Sequence, residues 1–160
     1  MQFTQSISYP GTVDEVVAMY LNPDYLERRF GRFVVEGSTT VSVEGQRASY
    51  AGTVRPELIP AAAARFVKSD LRVTFTEEWT INEAGATSHT SVTVDGAPVS
   101  VEATSTLAGA EAGSVREVSG NLSVRVPLLG GRIEKEAVAR AGRVIERERE
   151  LAASWLEEHR

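Results

Sequence analysis

Residues 71–79 read LRVTFTEEW, and this stretch decides how the middle of the chain folds. From Leu71 to Ile81, every second side chain is apolar except for one carboxylate, Glu77. The intervening side chains are polar throughout, and such alternation is typical of a strand that buries one face. The pattern therefore predicts a half-buried strand that carries an acid on the face meant for the core.

The composition of the whole chain predicts one globular domain over residues 1–160. Hydrophobic residues make up 42% and charged residues 24%, as in ordinary globular proteins. A net charge of −5 argues against a nucleic-acid binder, because the neutralisation of phosphates needs a basic surface. The absence of cysteine excludes disulfides, thiolate metal sites and thiol nucleophiles.

The N-terminal segment MQFTQSISYP (1–10) lacks the basic and apolar regions of a signal peptide. No apolar run in the sequence approaches the ~20 residues that span a bilayer. We therefore expect a cytoplasmic protein without stable membrane insertion, and the choice between a monomer and a homodimer stays open.

The order of predicted elements is strand, two short helices, six strands and one long helix. Thr12 and Glu15 predict a capping box for the first helix, and Asn22-Pro23 predicts the start of the second, NPDYLERRF. A connection at 55–66 with room for one helical turn separates the third and fourth strands. The predicted strands are 2–9, 33–43, 47–55, 69–82, 86–94, 97–107 and 115–126, and the long helix is 132–158.

Four segments resemble the START-like (SRPBCC) superfamily, which includes polyketide cyclases, lipid-transfer START domains and the birch-pollen allergen. They are VDEVVAMYLNPDYLERR (13–29), ELIP (57–60), FTEEW (75–79) and VPLLGGRIEKE (126–136). More narrowly, the chain resembles an actinobacterial branch without an assigned function. The resemblance implies an α+β helix-grip fold, in which a seven-stranded curved antiparallel sheet wraps a long C-terminal helix and leaves a cavity. It also implies that the 55–66 connection and the Pro23 helix flank the cavity mouth.

A second carboxylate is predicted to face the interior from the long helix. At ~100° per residue, Glu148 lies at the centre of an apolar stripe that includes Val144 and Trp155. A helix acid and a strand acid are thus expected to point into the space between sheet and helix.

An isolated ionised carboxylate in a dry core is very costly, so these two acids need an explanation. Arg116, on the inward parity of its strand, could pair with either acid. The acids could instead anchor a polar ligand group in a hydrated cavity, or one with a raised pKa could act as a general acid or base. A β-bulge could also exchange the faces of Glu77 and Glu78. Three other inward side chains could donate hydrogen bonds to the acids: Gln5, Tyr9 and Tyr50.

No motif predicts a metal ion or a cofactor. The two histidines, His89 and His159, are placed on an outer strand face and at the C-terminus, so a histidine metal site or catalytic triad is not expected. Gly130-Gly131 lacks the Lys-Ser/Thr of a phosphate-binding loop and is interpreted as a strand-to-helix turn.

We expect the chain to bind a small hydrophobic or amphipathic molecule (lipid-, isoprenoid- or polyketide-like) in the cavity between sheet and helix. A cyclase- or aromatase-like enzyme with Glu77 or Glu148 as the proton shuttle is the second hypothesis. A non-catalytic interaction module with structural acids is the third. The predicted ligand-binding residues are Tyr50, Val73, Phe75, Glu77, Trp79, Arg116, Leu122, Val124, Val144, Glu148, Leu151 and Trp155.

Overall fold

One antiparallel sheet of seven strands forms the body of the protein, in the order β1-β7-β6-β5-β4-β3-β2. The computed structural model describes residues 1–65, 67 and 69–160. The strands are β1 (Gln2–Tyr9), β2 (Thr40–Glu44), β3 (Arg47–Thr53), β4 (Arg72–Asn82), β5 (Gly85–Asp95), β6 (Val99–Ala110) and β7 (Gly113–Val124). The helices are α1 (Val13–Tyr20), α2 (Pro23–Phe30), α3 (Ala61–Ala64) and α4 (Gly130–Glu158).

The connectivity is that of the helix grip, as the sequence predicts. Strands β2 to β7 pair consecutively, and β1 adds to the far side of β7 with Gln2 opposite Asn121 and Tyr9 opposite Ser114. In sequence, α1 and α2 lie between β1 and the meander of β2 to β7. The pairing of β1 with β7 brings the first and last strands of the chain together. The long helix α4 packs against β1, β7 and α1.

Local hydrogen bonds begin the two short helices where the sequence predicts them. The Glu15 amide donates to Thr12 Oγ1 at 3.2 Å, and the Thr12 amide donates to Glu15 Oε1 at 2.9 Å, which completes a capping box. Asn22 Oδ1 accepts from the Asp24 amide at 2.9 Å, and Pro23 takes the first helical position.

The predicted strand at 33–43 is wrong in its first half. Gly31–Phe33 is a 3-10 turn, and only an isolated bridge between Val34 and Val54 precedes β2. The chain turns at Val35, where the Ser38 amide donates to the Val35 carbonyl at 3.1 Å and Gly37 has φ +82°. A positive φ at the third position of a four-residue turn favours glycine, and this turn interrupts the strand.

The connection between β3 and β4 contains more helix than one turn. A 3-10 turn spans Pro56–Leu58 and α3 follows it, while Phe66, the last residue of the predicted connection, lies outside the described residues. Pro56 is the first residue of the 3-10 turn, where a missing amide hydrogen costs nothing, and Pro60 is the N-cap of α3.

The face assignment of β4 is confirmed, without a bulge at Glu77. Phe75, Glu77 and Trp79 are buried on one face, while the Glu78 side chain on the other is 65% exposed. Ile81, at the end of the same apolar row, is 46% exposed because the row passes the edge of the core there.

The long helix is buried mainly at its C-terminal end. Ala152, Trp155 and Leu156 are buried, whereas most of the helix between Gly131 and Leu151 is only partly covered. Val144, predicted to face the core, is 43% exposed because this part of α4 borders open clefts rather than packed side chains. Among the described residues, no helix is both long and apolar enough to cross a membrane.

We predict that Gly113→Ala destabilises the fold by roughly 1–3 kcal/mol. Gly113 has φ +147°, and a Cβ there would lie 2.1 Å from the Tyr9 carbonyl oxygen where β7 meets β1. Urea unfolding measures the effect, with Gly109→Ala as the matched control because a Cβ at Gly109 meets no atom within 4 Å. Equal stability of the two variants would contradict this account of the β1–β7 junction.

Candidate functional site

The strand acid Glu77 forms a buried ion pair with Arg116. Arg116 Nη2 donates to Glu77 Oε2 at 2.9 Å, and the side chains are 4% and 2% exposed, respectively. Thr90 Oγ1 donates to the same carboxylate oxygen at 2.6 Å, and Trp79 Nε1 donates to Glu77 Oε1 at 3.0 Å. Both carboxylate oxygens of Glu77 therefore have partners from the protein itself. Among the explanations considered from the sequence, these contacts favour a structural ion pair with Arg116.

The Arg116 guanidinium also donates hydrogen bonds to two serines, one on β6 and one on β5. Its Nε donates to Ser105 Oγ at 2.9 Å and its Nη2 donates to Ser88 Oγ at 3.1 Å. Ser88 and Ser105 are opposite each other in the β5–β6 register, and their hydroxyl oxygens are 2.5 Å apart. The guanidinium carbon also lies 4.9 Å and 4.8 Å from the ring centroids of Tyr20 and Trp79.

The surroundings of Glu77 keep it ionised. Burial by itself raises the pKa of this carboxyl, but the positive charges of Arg116 and Arg29 and the hydrogen bond from Thr90 outweigh burial. The net effect holds the pKa of Glu77 below its usual range. A general acid needs the opposite shift, so this environment does not favour the acid–base alternative for Glu77.

The helix acid Glu148 pairs with Arg29, not with any of the partners proposed from the sequence. Arg29 Nη2 lies 2.5 Å from Glu148 Oε1, and both side chains are nearly buried. Arg29 follows the buried residues Tyr25 and Leu26 by four and three positions, which places it on the inward face of α2. That spacing was the available signal for this partner.

The tyrosines proposed as donors bind elsewhere. Tyr9 and Tyr20 share a hydrogen bond of 2.6 Å between their hydroxyl oxygens, and the Tyr50 hydroxyl donates to Glu27 Oε1 at 3.3 Å. Burial and the negative charge of Glu27 raise the pKa of Tyr50 to about 12. Neither tyrosine hydroxyl is a partner of Glu77 or Glu148 in these hydrogen bonds.

An apolar cavity of about 260 Å³ lies where the β3–β4 connection faces the ends of the strands and the start of α4. The β3–β4 connection, the ends of β5, β6 and β7, and the first turns of α4 enclose it. Its lining residues are Val54, Leu58, Ile59, Pro60, Ala63, Val67, Leu71, Val94, Gly96, Ala97, Pro98, Val99, Leu122, Val124, Val126, Ile133 and Ala137. No ionisable side chain lines this cavity within the described part of the chain.

A smaller cleft of about 130 Å³ lies between α2 and the middle of α4. In contrast to the apolar cavity, it has several guanidinium groups. Its lining residues are Arg28, Arg29, Phe30, Arg32, Phe33, Val144, Arg147, Glu148 and Leu151.

The twelve predicted ligand-binding residues divide among four surroundings. Leu122 and Val124 line the apolar cavity. Glu77 and Arg116 form the buried pair. The cleft between α2 and α4 is lined by Val144, Glu148 and Leu151, and the packed core contains Tyr50, Val73, Phe75, Trp79 and Trp155. Contact of any of them with a ligand stays a prediction.

Sequence reasoning missed most of the apolar cavity's walls. Val94 and Val99 lie on the inward parity of β5 and β6, in the same cross-strand row as Val73 and Val124. Alternation along β5 and β6 carried this signal. The contributions of Leu58 and Ile59 depend on how the connection folds back over the sheet, which periodicity does not report.

A family model described as "Protein of unknown function (DUF2505)" matches residues 4–156. The chain belongs to this family. Two mycobacterial relatives are described as uncharacterized proteins: Rv0481c of Mycobacterium tuberculosis and Mb0491c of Mycobacterium bovis. Each is 25% identical over 166 residues, which cover 96% of this chain and 95% of the relative. These findings confirm the resemblance to an actinobacterial branch without an assigned function.

Solved structures confirm the helix-grip fold for this member of the family. Ara h 8.0201 superposes with a TM-score of 0.61 and 14% identity, covering 99% of this chain and 98% of that one. A norcoclaurine synthase variant of Thalictrum flavum superposes with a TM-score of 0.54 and 11% identity, covering 99% of this chain and 94% of that one. Protein CV1439 of Chromobacterium violaceum superposes with a TM-score of 0.58 and 13% identity, covering 98% of this chain and 97% of that one. At these identities the likeness shows the fold alone.

We predict that Glu77→Gln lowers the free energy of unfolding of this protein by about 3–5 kcal/mol at pH 7. The substitution leaves the buried guanidinium of Arg116 without a countercharge. Urea unfolding followed by tryptophan fluorescence measures the loss. Glu78→Gln is the matched control, because it removes the same charge from the exposed face of the same strand, and we expect a change within about 0.5 kcal/mol.

The same pair predicts a direction for the dependence of stability on pH. The pKa of Glu77 is lower in the folded state than its usual value of 4.5, so in acid the unfolded chain binds the proton first. Its contribution is therefore complete above about pH 5 and is lost as pH falls through the lowered folded-state pKa. The gap in unfolding free energy between wild type and Glu77→Gln should narrow below pH 4.5. A gap that widens in acid would be inconsistent with an ionised Glu77.

Proposed function

We propose that this protein binds a small, mainly hydrophobic molecule in the apolar cavity between the β3–β4 connection, the sheet and the start of α4. The observation that supports this proposal is the lining of that cavity, which is formed by aliphatic side chains, glycine and proline. Apolar surface transferred from water to such walls contributes roughly 25 cal/mol per Å², so binding there favours an apolar molecule.

The size of the cavity limits the ligand. Its volume of about 260 Å³ is just below the roughly 300–1,000 Å³ typical of drug-sized ligand pockets. A single short chain or a small ring system matches this volume better than a lipid with two long chains. Isoprenoid- and polyketide-like molecules of modest size are therefore favoured over membrane phospholipids.

A wider depression of about 600 Å³ lies on the outer face of the sheet, but its chemistry differs. Serine and threonine side chains form most of its lining, and Glu78, His89 and Glu117 also contribute to it. Polar and ionisable groups are interspersed along this surface, in contrast to the apolar lining of the cavity. The cavity is therefore the better match for a mainly hydrophobic molecule.

Proteins with similar folds agree with a ligand-binding role. The norcoclaurine synthase variant was solved in complex with a transition-state analogue, so a protein of this fold can bind a small organic molecule. START-like domains are also the group that the sequence resembles. Fold likeness by itself does not transfer a function, and the apolar lining of this chain's own cavity carries the proposal.

The enzyme alternative has no such support in the geometry. Glu77 and Glu148 are each paired with an arginine, and neither lines the apolar cavity. The pairing instead supports the structural role for the two acids, which is compatible with a binding cavity elsewhere in the interior.

We predict that the neutral fluorophore N-phenyl-1-naphthylamine binds to this cavity and that Ala97→Trp abolishes binding. Ala97 lies in the β5–β6 turn on the cavity wall, so an indole there fills space that the probe needs. The measurement is the rise in probe fluorescence on titration with protein.

Ala84→Trp is the matched control, because it adds the same side chain to the exposed β4–β5 turn, remote from the cavity. It should leave binding unchanged. Equal loss in both variants, or absence of binding by wild type together with no thermal stabilisation by small apolar molecules, would refute the proposed function.

A further inference from the structure

The cleft between α2 and α4 is unusually rich in positive charge. Together with an adjoining space of about 270 Å³, it is lined by five arginines and one carboxylate, Glu148. Glu148 is already paired with Arg29, and Arg28 is paired with Glu158 at 3.0 Å. The other three arginines are Arg32, Arg143 and Arg147.

Within residues 1–65, 67 and 69–160, none of these three guanidinium groups forms an ion pair. The Arg32 guanidinium carbon lies 4.5 Å from the ring centroid of Phe33. Partial burial and the positive charge of Arg147 lower the pKa of Arg32, and the negative charge of Glu148 opposes this shift. The deeper Arg29 forms its ion pair with Glu148 through Nη2, whereas Arg29 Nη1 and Glu148 Oε1 are buried without a hydrogen-bond partner among the described residues. Unpaired donors in this arrangement suit an oxyanion.

The charged cleft adjoins the apolar cavity. Leu58 lines both the space beside Arg32 and the apolar cavity, and one face of α4 borders both. Ala137 lies on the cavity and Val144 on the cleft, and seven residues of helix separate them by about 10 Å. Leu58 and Val144 are 46% and 43% exposed, so apolar surface is accessible at the boundary between the cleft and the cavity.

We infer that the ligand is an amphipathic anion, whose carboxylate, sulfonate or phosphate group binds to Arg32 and Arg147 while its apolar part occupies the cavity. This inference builds on the proposed function, because the apolar cavity supplies the tail site. The inference adds that the ligand carries a negative group about 10 Å from its apolar part, a distance given by the rise of seven residues of α4. Arg143 and the free Nη1 of Arg29 are the additional donors.

The test compares decanoate with decan-1-ol, two chains of equal length that differ in charge. Each is used to displace N-phenyl-1-naphthylamine from the protein. We expect decanoate to bind roughly tenfold more tightly or better, because charge-assisted hydrogen bonds form only with the anion. Arg32→Gln/Arg147→Gln should reduce the affinity for decanoate to that for decan-1-ol while leaving the affinity for decan-1-ol unchanged.

Arg140→Gln/Arg149→Gln is the control, because it removes the same charge from α4 at residues that do not line the cleft. It should preserve the preference for decanoate. Equal affinity of wild type for the two molecules, or equal loss of the preference in both double variants, would overturn the inference and leave the proposed function intact.

A titration with inorganic sulfate separates failure of the two proposals. If no apolar molecule binds, the proposed function fails, and NMR of the arginine Nε–Hε groups then tests the anion site alone. Saturable shifts at Arg32 and Arg147 that are retained in the Ala97→Trp variant support the site. Shifts that rise linearly and equally at all exposed arginines would refute it.

Discussion

The interior of this protein depends on the ion pair between Glu77 and Arg116. A buried pair adds little net stability over apolar packing, but removal of one partner costs about 3–5 kcal/mol. The hydrogen bonds of the pair also need Thr90, Ser88 and Ser105 within reach of Glu77 and Arg116. The β4–β5, β5–β6 and β6–β7 registers must therefore all be correct. A shift of one residue along any of these strands would turn a partner to the outer face. The pair therefore selects one arrangement of the sheet.

The two buried ion pairs and the apolar cavity occupy different parts of the interior. Toward the short helices, two arginines and two glutamates compensate one another among tyrosine and tryptophan rings. Toward the β5–β6 turn, the described residues of the sheet and α4 present apolar groups to the cavity. The residues that satisfy the buried charges of Glu77 and Glu148 are therefore not the residues that line the apolar cavity. We expect substitutions in the cavity wall to leave the two ion pairs intact.

The sequence predicted the elements and the inward face of β4 because periodicity reports burial directly, as at Phe75, Glu77 and Trp79. It also supplied Arg116 as a partner for Glu77, since both lie on inward parities of their strands. It did not predict Arg29 as the partner of Glu148, because that contact depends on how α2 packs against α4. The cavity was expected between sheet and helix, but its position depends on the path of the β3–β4 connection. Local patterns cannot report such tertiary placement.

The uneven burial of α4 has a consequence for how a molecule reaches the interior. Ala152, Trp155 and Leu156 attach the helix to the core near its C-terminal end. The turns around Ile133 and Ala137 lie over the apolar cavity, where Glu134 contacts the amino group of Met1 and the Val124 amide. Displacement of the N-terminal turns would break the contacts of Glu134 but leave the two buried ion pairs in place. Such a local opening costs much less free energy than global unfolding, and it would give a ligand of the proposed kind a route to the cavity. Amide hydrogen exchange along α4 would follow this gradient, fast near Ile133 and slow near Trp155.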